Sequence, residues 1–232
     1  MLHIPTIKAI SLDLDDTLWP IWPTIERAEQ VLHGWLRDQA PQAAVVAANP
    51  AALREIRDQL ARERPELGHD FSALRRESIR LLLARAGEDT ALAEPAFDVF
   101  FAERQRVTFY DDALAALEFL AARYPLVAVS NGNSDLARVG IAQHFKAAIS
   151  AREFGIAKPD PRIFHAAAAA VAVQPHELLH VGDDVALDAL GALDAGLPTI
   201  WLNRDAKVWP HARRPHGEVA DLHALCALFP AR

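Results

Sequence analysis

At 232 residues, 51% of them hydrophobic, the chain can bury a sizeable core, as one domain with a large insertion or as two small domains. A formal net charge of −7 without a basic stripe argues against nucleic acid as a partner, and a single cysteine, Cys226, excludes a disulfide framework and reads as a small core residue. No apolar run approaches the ~18 residues of a membrane span and no signal-peptide pattern opens the chain, so a soluble cytoplasmic protein, monomeric or homodimeric, is expected.

Ile7 to Asp15 is short and rich in apolar residues, bounded by Pro5 and an acidic turn, and reads as a buried strand. It runs into Asp13, Asp15 and Asp16. Burying even one unpaired carboxylate costs on the order of several kcal/mol, so something must compensate, and a bound cation is the natural candidate. From about Pro23 to Val107 the periodicity is helical: Leu32, Trp35 and Leu36, then Leu53, Ile56 and Leu60, then Leu74, Ile79, Leu82 and Leu83, then Phe97, Phe100 and Phe101. Breakers at Pro41, Asn49-Pro50, Pro65, Gly68 and Gly87 divide this stretch into about four helices.

After Asp111 strand and helix patterns alternate. Leu126–Ser130, Leu178–Gly182 and Pro198–Asn203 read as strands, with a weaker one at Ala147–Ser150. Helical patterns cover Ala113–Arg123, Ser134–Phe145, Pro161–Ala172 and Val185–Ala195. This alternation predicts an α/β fold: a Rossmann-like parallel sheet core, residues 1–20 and 108–232, interrupted after its first strand by a helical bundle, residues 21–107. Asn203–Glu218 is polar and reads as a loop, either ordered over a site or a plain surface connection.

Ligands of open parallel sheets bind at the carboxyl ends of the strands. Three strand ends here are polar: Asp13 to Thr17, Ser130 to Asn133, and Gly182 to Asp184. Taken singly, the first could cap a helix, the second is an ordinary turn sequence, and an N-cap would explain one aspartate of the third. Their convergence on one sheet edge is what points to a site. Lys158 is one of four lysines beside twenty arginines, so its presence in "GIAKPDPRIF" draws attention as a compact point charge. His180, inside a strand, reads as a satisfied interior histidine, and no histidine pair has zinc-ligand spacing.

"DLDDT", "SNG", "KP" and "GDDVALD", in that order, resemble the four motifs of the haloacid dehalogenase-like hydrolases, and the helical insertion matches the cap of that family. The resemblance implies Asp13 as a nucleophile that forms an aspartyl-phosphate, and Asp15 as the acid that protonates the leaving oxygen and then activates water. It implies Mg²⁺ held by Asp13, Asp183 and the Asp15 backbone carbonyl, with Asp184 and Asp188 orienting these groups or reaching the ion through water. Ser130, the Asn131 backbone N–H and Gly132 would hold the phosphoryl group, and Lys158 would stabilise charge between it and Asp13.

The dehalogenases of the family lack the second aspartate of the first motif, which favours phosphate-ester hydrolysis here; a dehalogenase or a non-catalytic scaffold of the same fold is the alternative. "ERPELGHDFSALRRESIRLLLARAG", "LVAVSNGN" and "ELLHVGDDVALDALGALDAG" are similar to the bacterial FMN phosphatase branch, whose members resemble enzymes acting on 5-amino-6-(5-phospho-D-ribitylamino)uracil in riboflavin biosynthesis. The expected substrate is therefore that compound or FMN, with phosphoglycolate or a sugar phosphate as the alternative. Trp19 and Trp22 could stack on a planar ring or simply pack, and His69, Phe71 and Arg75 are cap positions that contact substrate or are ordinary packing and surface charge.

Overall fold

The computed structural model describes residues 6–229, so Pro5, the expected boundary of the first strand, lies outside the described residues. The chain divides into two compact units: Met1–Pro20 with Thr108–Gly132 and Val139–Arg232, and Ile21–Val107 with Asn133–Arg138.

Among the described residues the first unit is an α/β structure on a six-stranded sheet. Its strands are β1 (Ala9–Leu12), β2 (Leu126–Ser130), β3 (Ala147–Ser150), β4 (Leu178–Gly182), β5 (Thr199–Leu202) and β6 (Gly217–Val219). They are all parallel, in the order β3-β2-β1-β4-β5-β6. Every residue of β1, β2, β4 and β5 is buried, which is why these strands read as unbroken apolar runs rather than alternating ones. The helix Pro161–Ala170 buries Ile163, Phe164, Ala167 and Ala168 in one cluster with Ala9, Val127, Val129 and Leu178, so its small alanines let it lie close to the sheet.

Register decides where the polar strand ends go. Leu12 pairs with both Ala128 and Val181, and the Asp13 N–H donates to the Val181 carbonyl at 3.0 Å. Asp13, Ser130 and Asp183 therefore leave the sheet at nearly one level. The strand order reverses between β1 and β4, the point at which such sheets open a ligand crevice.

Some local expectations were displaced by backbone chemistry. The stretch expected as one helix over 134–145 holds only a turn of helix at Leu136–Val139 before Gly140, whose φ of 87° no helix accommodates. Val185–Ala195 is not one regular α-helix: Val185–Leu190 is a wide π-type turn, followed by Gly191–Asp194. The polar segment 203–218, which reads as a loop, ends in β6, a three-residue edge strand too short and too polar to carry a strand pattern.

Residues 21–107 of the second unit hold five α-helices where about four are expected: α1 (Ile21–Gln39), α2 (Pro41–Ala47), α3 (Pro50–Glu63), α4 (Phe71–Arg85) and α5 (Ala93–Arg104). The prolines read as breakers prove to be helix starts. Pro41 and Pro50 occupy first-turn positions, where a missing N–H costs nothing. Asn49 and Asp70 cap α3 and α4 by accepting from the Ala51 and Ala73 N–H groups. Leu32, Leu36, Ile56, Leu60, Ile79, Leu82, Leu83, Phe97 and Phe100 form one buried cluster, with Trp35, Leu53 and Phe101 packed at its margin. The segment 133–138 belongs here: Asn133 donates to the Ser72 hydroxyl at 3.2 Å, and the Asp135 N–H donates to the Gln105 side chain at 2.7 Å. Among the described residues no helix is long and apolar enough to cross a membrane.

Candidate active site

Three loops at the carboxyl edge of the sheet bring the charged residues together. Asp13 follows β1 and is 6% exposed; Lys158 comes from the loop before the helix Pro161–Ala170 and is 4% exposed. The Lys158 Nζ donates to Asp13 Oδ1 and to Asp188 Oδ1, each at 2.5 Å. Asp13, Asp183 and Asp188 each offer a carboxylate oxygen within 4.8 Å of the others, a set able to hold a metal ion.

Asp188 reaches this cluster because of the local backbone. Asp184 caps the π-type turn, accepting from the Ala186 and Leu187 N–H groups at 2.8 and 2.7 Å. The wide turn carries Asp188 back over the strand end, where its Oδ2 accepts from the Asp184 N–H at 3.1 Å. Gly182 makes room: a Cβ there would stand 2.5 Å from Asp188 Oδ2. Asp184 and Asp188, interchangeable in the sequence, are thus separated: Asp184 is exposed and capping, Asp188 is buried in the cluster.

His180 completes the buried chain. It is fully buried, with Nδ1 2.9 Å from the Ser11 hydroxyl and Nε2 3.2 Å from Asp188 Oδ1. The expectation of a satisfied interior histidine holds, but the residue also braces Asp188, which the strand pattern alone does not reveal.

The electrostatics follow from two buried carboxylates that share one ammonium and a third, half-buried carboxylate beside them. Loss of water raises Asp13 well above the ordinary carboxylate range; Lys158 opposes this, while Asp188 and Asp183 add to it. Burial, with Asp188 and Asp16 nearby, pushes Asp183 up to about 7. For Asp188 the burial penalty is outweighed by Lys158 and His180, which hold it at about 2. Lys158 is held above its ordinary value: burial lowers it, but its two carboxylate partners prevail. Burial lowers His180, which favours the neutral ring. The cluster carries more negative charge than one lysine balances, and its carboxylate oxygens are the donors a hard divalent cation takes.

The end of β2 and the loop after it carry Ser130, Asn131 and Gly132. The Ser130 hydroxyl accepts from the Gly132 N–H at 2.9 Å. The Asn131 side chain turns to the lysine loop, donating to the Lys158 carbonyl at 2.9 Å and accepting from its N–H at 2.7 Å. It braces the lysine backbone. Gly132 stands where a Cβ would collide with Asp15 Oδ2 and press on the Ser130 hydroxyl at 3.1 Å.

Trp19 was expected as a possible stacking surface. It is fully buried, edge-to-face with Phe109 at 5.6 Å, and its indole N–H donates to Asp15 Oδ1 at 2.8 Å. With no ring face exposed, it cannot stack on a ligand. Trp22, in α1, is 69% exposed. Arg75 pairs with Glu29 at 2.6 Å and lies over the Phe100 ring, Phe71 is exposed, and His69 is half-buried. Cys226 is half-buried rather than a core residue, and burial pushes its thiol up to about 11, away from reactivity.

Two supports lie outside the motifs. The Trp201 indole N–H donates to the Asp183 carbonyl at 2.7 Å. Arg204 holds Asp112 with two bonds at 2.9 and 3.0 Å and donates to the Thr17 carbonyl at 3.0 Å, while Thr17 donates to Asp183 Oδ1 at 3.1 Å. The polar stretch from Asn203 is therefore anchored at its start to the motif loops. The pairing of Trp201 with Gly182 across β4 and β5 explains Trp201, but only the sheet order makes that pairing visible.

Residues 7–196 match the model of the haloacid dehalogenase-like hydrolases. The chain is 30% identical to the 5-amino-6-(5-phospho-D-ribitylamino)uracil phosphatase YigB of Escherichia coli (strain K12), over 96% of both chains. It is 35% identical to a phosphoserine phosphatase of Thermus thermophilus, over 94% of this chain and 98% of the relative. The crystal structure of a 2-haloacid dehalogenase from Pseudomonas syringae pv. Tomato superposes with a TM-score of 0.91 at 38% identity, covering 96% of this chain and 97% of that one. The chain belongs to the haloacid dehalogenase-like hydrolases, and it is a phosphoric monoester hydrolase among them.

Proposed function

We propose that this phosphatase works with Mg²⁺ through an aspartyl-phosphate on Asp13, with Asp15 as acid and base. One observation carries the reading: three carboxylates, two of them buried, and one buried lysine meet in one cluster, while a further carboxylate on the same loop as Asp13, that of Asp15, accepts from the Trp19 indole N–H. Asp13, Asp183 and Asp188 fit a divalent cation by donor type and by their surplus charge, with the Asp15 backbone carbonyl as a further ligand. When bound, the ion supplies charge neutralisation for an approaching phosphate and for the oxygens that become more negative in transfer.

The chain's own residues then divide the work. An Asp13 oxygen attacks phosphorus as the ester P–O bond breaks, and Asp15 gives its proton to the departing oxygen. Asp15 next takes a proton from the water that attacks the phospho-aspartate, and Asp13 leaves as carboxylate. Lys158, fixed against Asp13 and Asp188 and braced by Asn131, holds positive charge beside the nucleophile. The Ser130 hydroxyl and the Asn131 N–H bind phosphoryl oxygens. The helical unit, residues 21–107, serves as the cap that selects substrate.

We assign FMN or 5-amino-6-(5-phospho-D-ribitylamino)uracil as that substrate. The support is likeness to the Escherichia coli ribitylaminouracil phosphatase along almost the whole chain and the resemblance of the stretch from Glu63 to Gly87 to the FMN phosphatase branch. A second reading, 2-haloacid dehalogenation, is favoured by the Pseudomonas syringae structure. A halide leaves without a proton, so that reading gives Asp15 and its Trp19 donor no task. A panel of phosphate esters with and without Mg²⁺, run beside chloride release from 2-chloropropionate, separates the two. The proposal expects metal-dependent phosphate release, with FMN or the ribitylaminouracil phosphate ahead of phosphoglycolate and sugar phosphates. Chloride release with no phosphatase activity would reverse the assignment.

A further inference from the structure

The loop after β1 folds back on itself in a way the motif chemistry does not require. Asp16 sits in the left-handed region at φ 58°, which aspartate tolerates better than most residues. The turn closes through the Leu18 N–H to the Leu14 carbonyl at 2.8 Å and the Asp16 N–H to the Trp19 carbonyl at 2.7 Å. The Tyr110 N–H fixes the far side of the turn by donating to the Leu18 carbonyl at 3.0 Å. The result brings the largest side chain of the loop under Asp15, where Trp19 Nε1 meets Oδ1 at 2.8 Å with the ring fully buried beside Phe109.

The two oxygens of Asp15 are therefore in different surroundings. Oδ1 accepts from a rigid buried donor, and Oδ2 lies against Gly132, where any side chain would displace it. An aspartate carboxylate otherwise turns freely about two bonds, and proton transfer demands that it stand at one angle.

We propose that Trp19 is a positioning residue for proton transfer: its indole N–H holds Oδ1 so that Oδ2 is the oxygen that gives and takes the proton. This rests on the reading of Asp15 as acid and base. In the first step Oδ2–H yields its proton to the ester oxygen as the P–O bond breaks; in the second Oδ2 takes one proton of the attacking water. The indole N–H is never transferred.

The test is leaving-group dependence. An alkyl phosphate needs a proton on its departing oxygen, whereas p-nitrophenyl phosphate does not, and kcat/KM for each reports steps through departure of the alcohol. Trp19→Phe keeps an aromatic ring beside Phe109 and removes the donor. We expect kcat/KM for the alkyl ester to fall on the order of 10- to 100-fold, with p-nitrophenyl phosphate changed by less than about 3-fold. Replacing Trp19 with 3-benzothienylalanine, which puts sulfur in place of N–H at almost the same shape, reproduces this selective loss if Trp19→Phe fails to fold. An equal fall for both esters would mark a purely structural role and overturn the proposal, as would no fall for either. Asp15→Asn run in parallel tells the two readings apart. Leaving-group dependence in Asp15→Asn but not in the Trp19 variants removes Trp19 alone, while its absence from Asp15→Asn removes the acid role and the proposal with it.

Discussion

Metal affinity should depend steeply on pH, because an ion and protons compete for the same oxygens. The folded, metal-free protein takes up a proton on Asp183 at about 7, through burial first and then the neighbouring Asp188 and Asp16. At about pH 8 that carboxylate is ionised and ready to bind; at about pH 5 some 100 of every 101 copies carry a proton that must leave, so the apparent affinity falls about 100-fold from this group alone. Asp13, also raised, steepens the fall in the same direction. Asp188, held at about 2, stays ionised over the whole range and contributes nothing to the slope. Isothermal titration with Mg²⁺ at both pH values, in buffers of low and high ionisation enthalpy, measures the affinities and the protons released. Asp183→Asn should lose most of the affinity at either pH. An affinity equal at about pH 5 and about pH 8, with no proton release, would refute the assignment of Asp13 and Asp183 as ligands.

Asp13→Asn should abolish turnover and leave the circular dichroism spectrum unchanged; near-parental phosphatase activity would remove Asp13 as nucleophile. Lys158→Met leaves Asp13 and Asp188 buried without their shared cation, a change expected to cost ~3–5 kcal/mol by urea unfolding. Asp188, depressed by Lys158, now stabilises the parent above the ordinary carboxylate value of 3.8, and that contribution fades as pH falls toward about 2. Without the lysine, burial raises Asp188 and turns the contribution into a penalty for its ionised form, so the variant's deficit should be larger at about pH 8 than at about pH 5. Gly182→Ala places a methyl on the Asp188 carboxylate and should lower both stability, by ~1–3 kcal/mol, and activity; an unchanged melting point would mean that Asp188 has another place to go.

The fold was legible where physics acts along the chain. Strands buried on both faces must be apolar throughout, and β2 and β4 were bounded to the residue by that rule alone. Helical periodicity in the second unit marked a buried stripe, and all the residues so marked except Leu74, which is only half-buried, form its core or its margin. What failed was decided by single backbone positions. Gly140 at φ 87° cut short a helix whose side chains fit it, and α2, seven residues long, had too few turns to show a period. β6 owes its place to pairing with β5 and carries no pattern of its own.

The site was legible in its elements and not in its contacts. Parallel register put Asp13, Ser130 and Asp183 at one edge as soon as the strands were recognised, because the pairing of Leu12 with Ala128 and Val181 leaves them no other level. Which of Asp184 and Asp188 joins the cluster turned on a π-type turn, a geometry with no sequence period to announce it. The sequence leaves Trp19 open between stacking and packing for a related reason. An aromatic residue near a catalytic loop has two uses, one for its faces and one for its N–H, and its sequence neighbours are the same in both. Only burial separates them: with both faces packed, the single polar atom of the ring must find an acceptor, and the acceptor within reach is Asp15. Buried polar atoms that must be satisfied thus tie the framework to the chemistry, since Ser11, His180 and Trp201 likewise spend their hydrogen bonds on groups of the cluster or on the residues beside them.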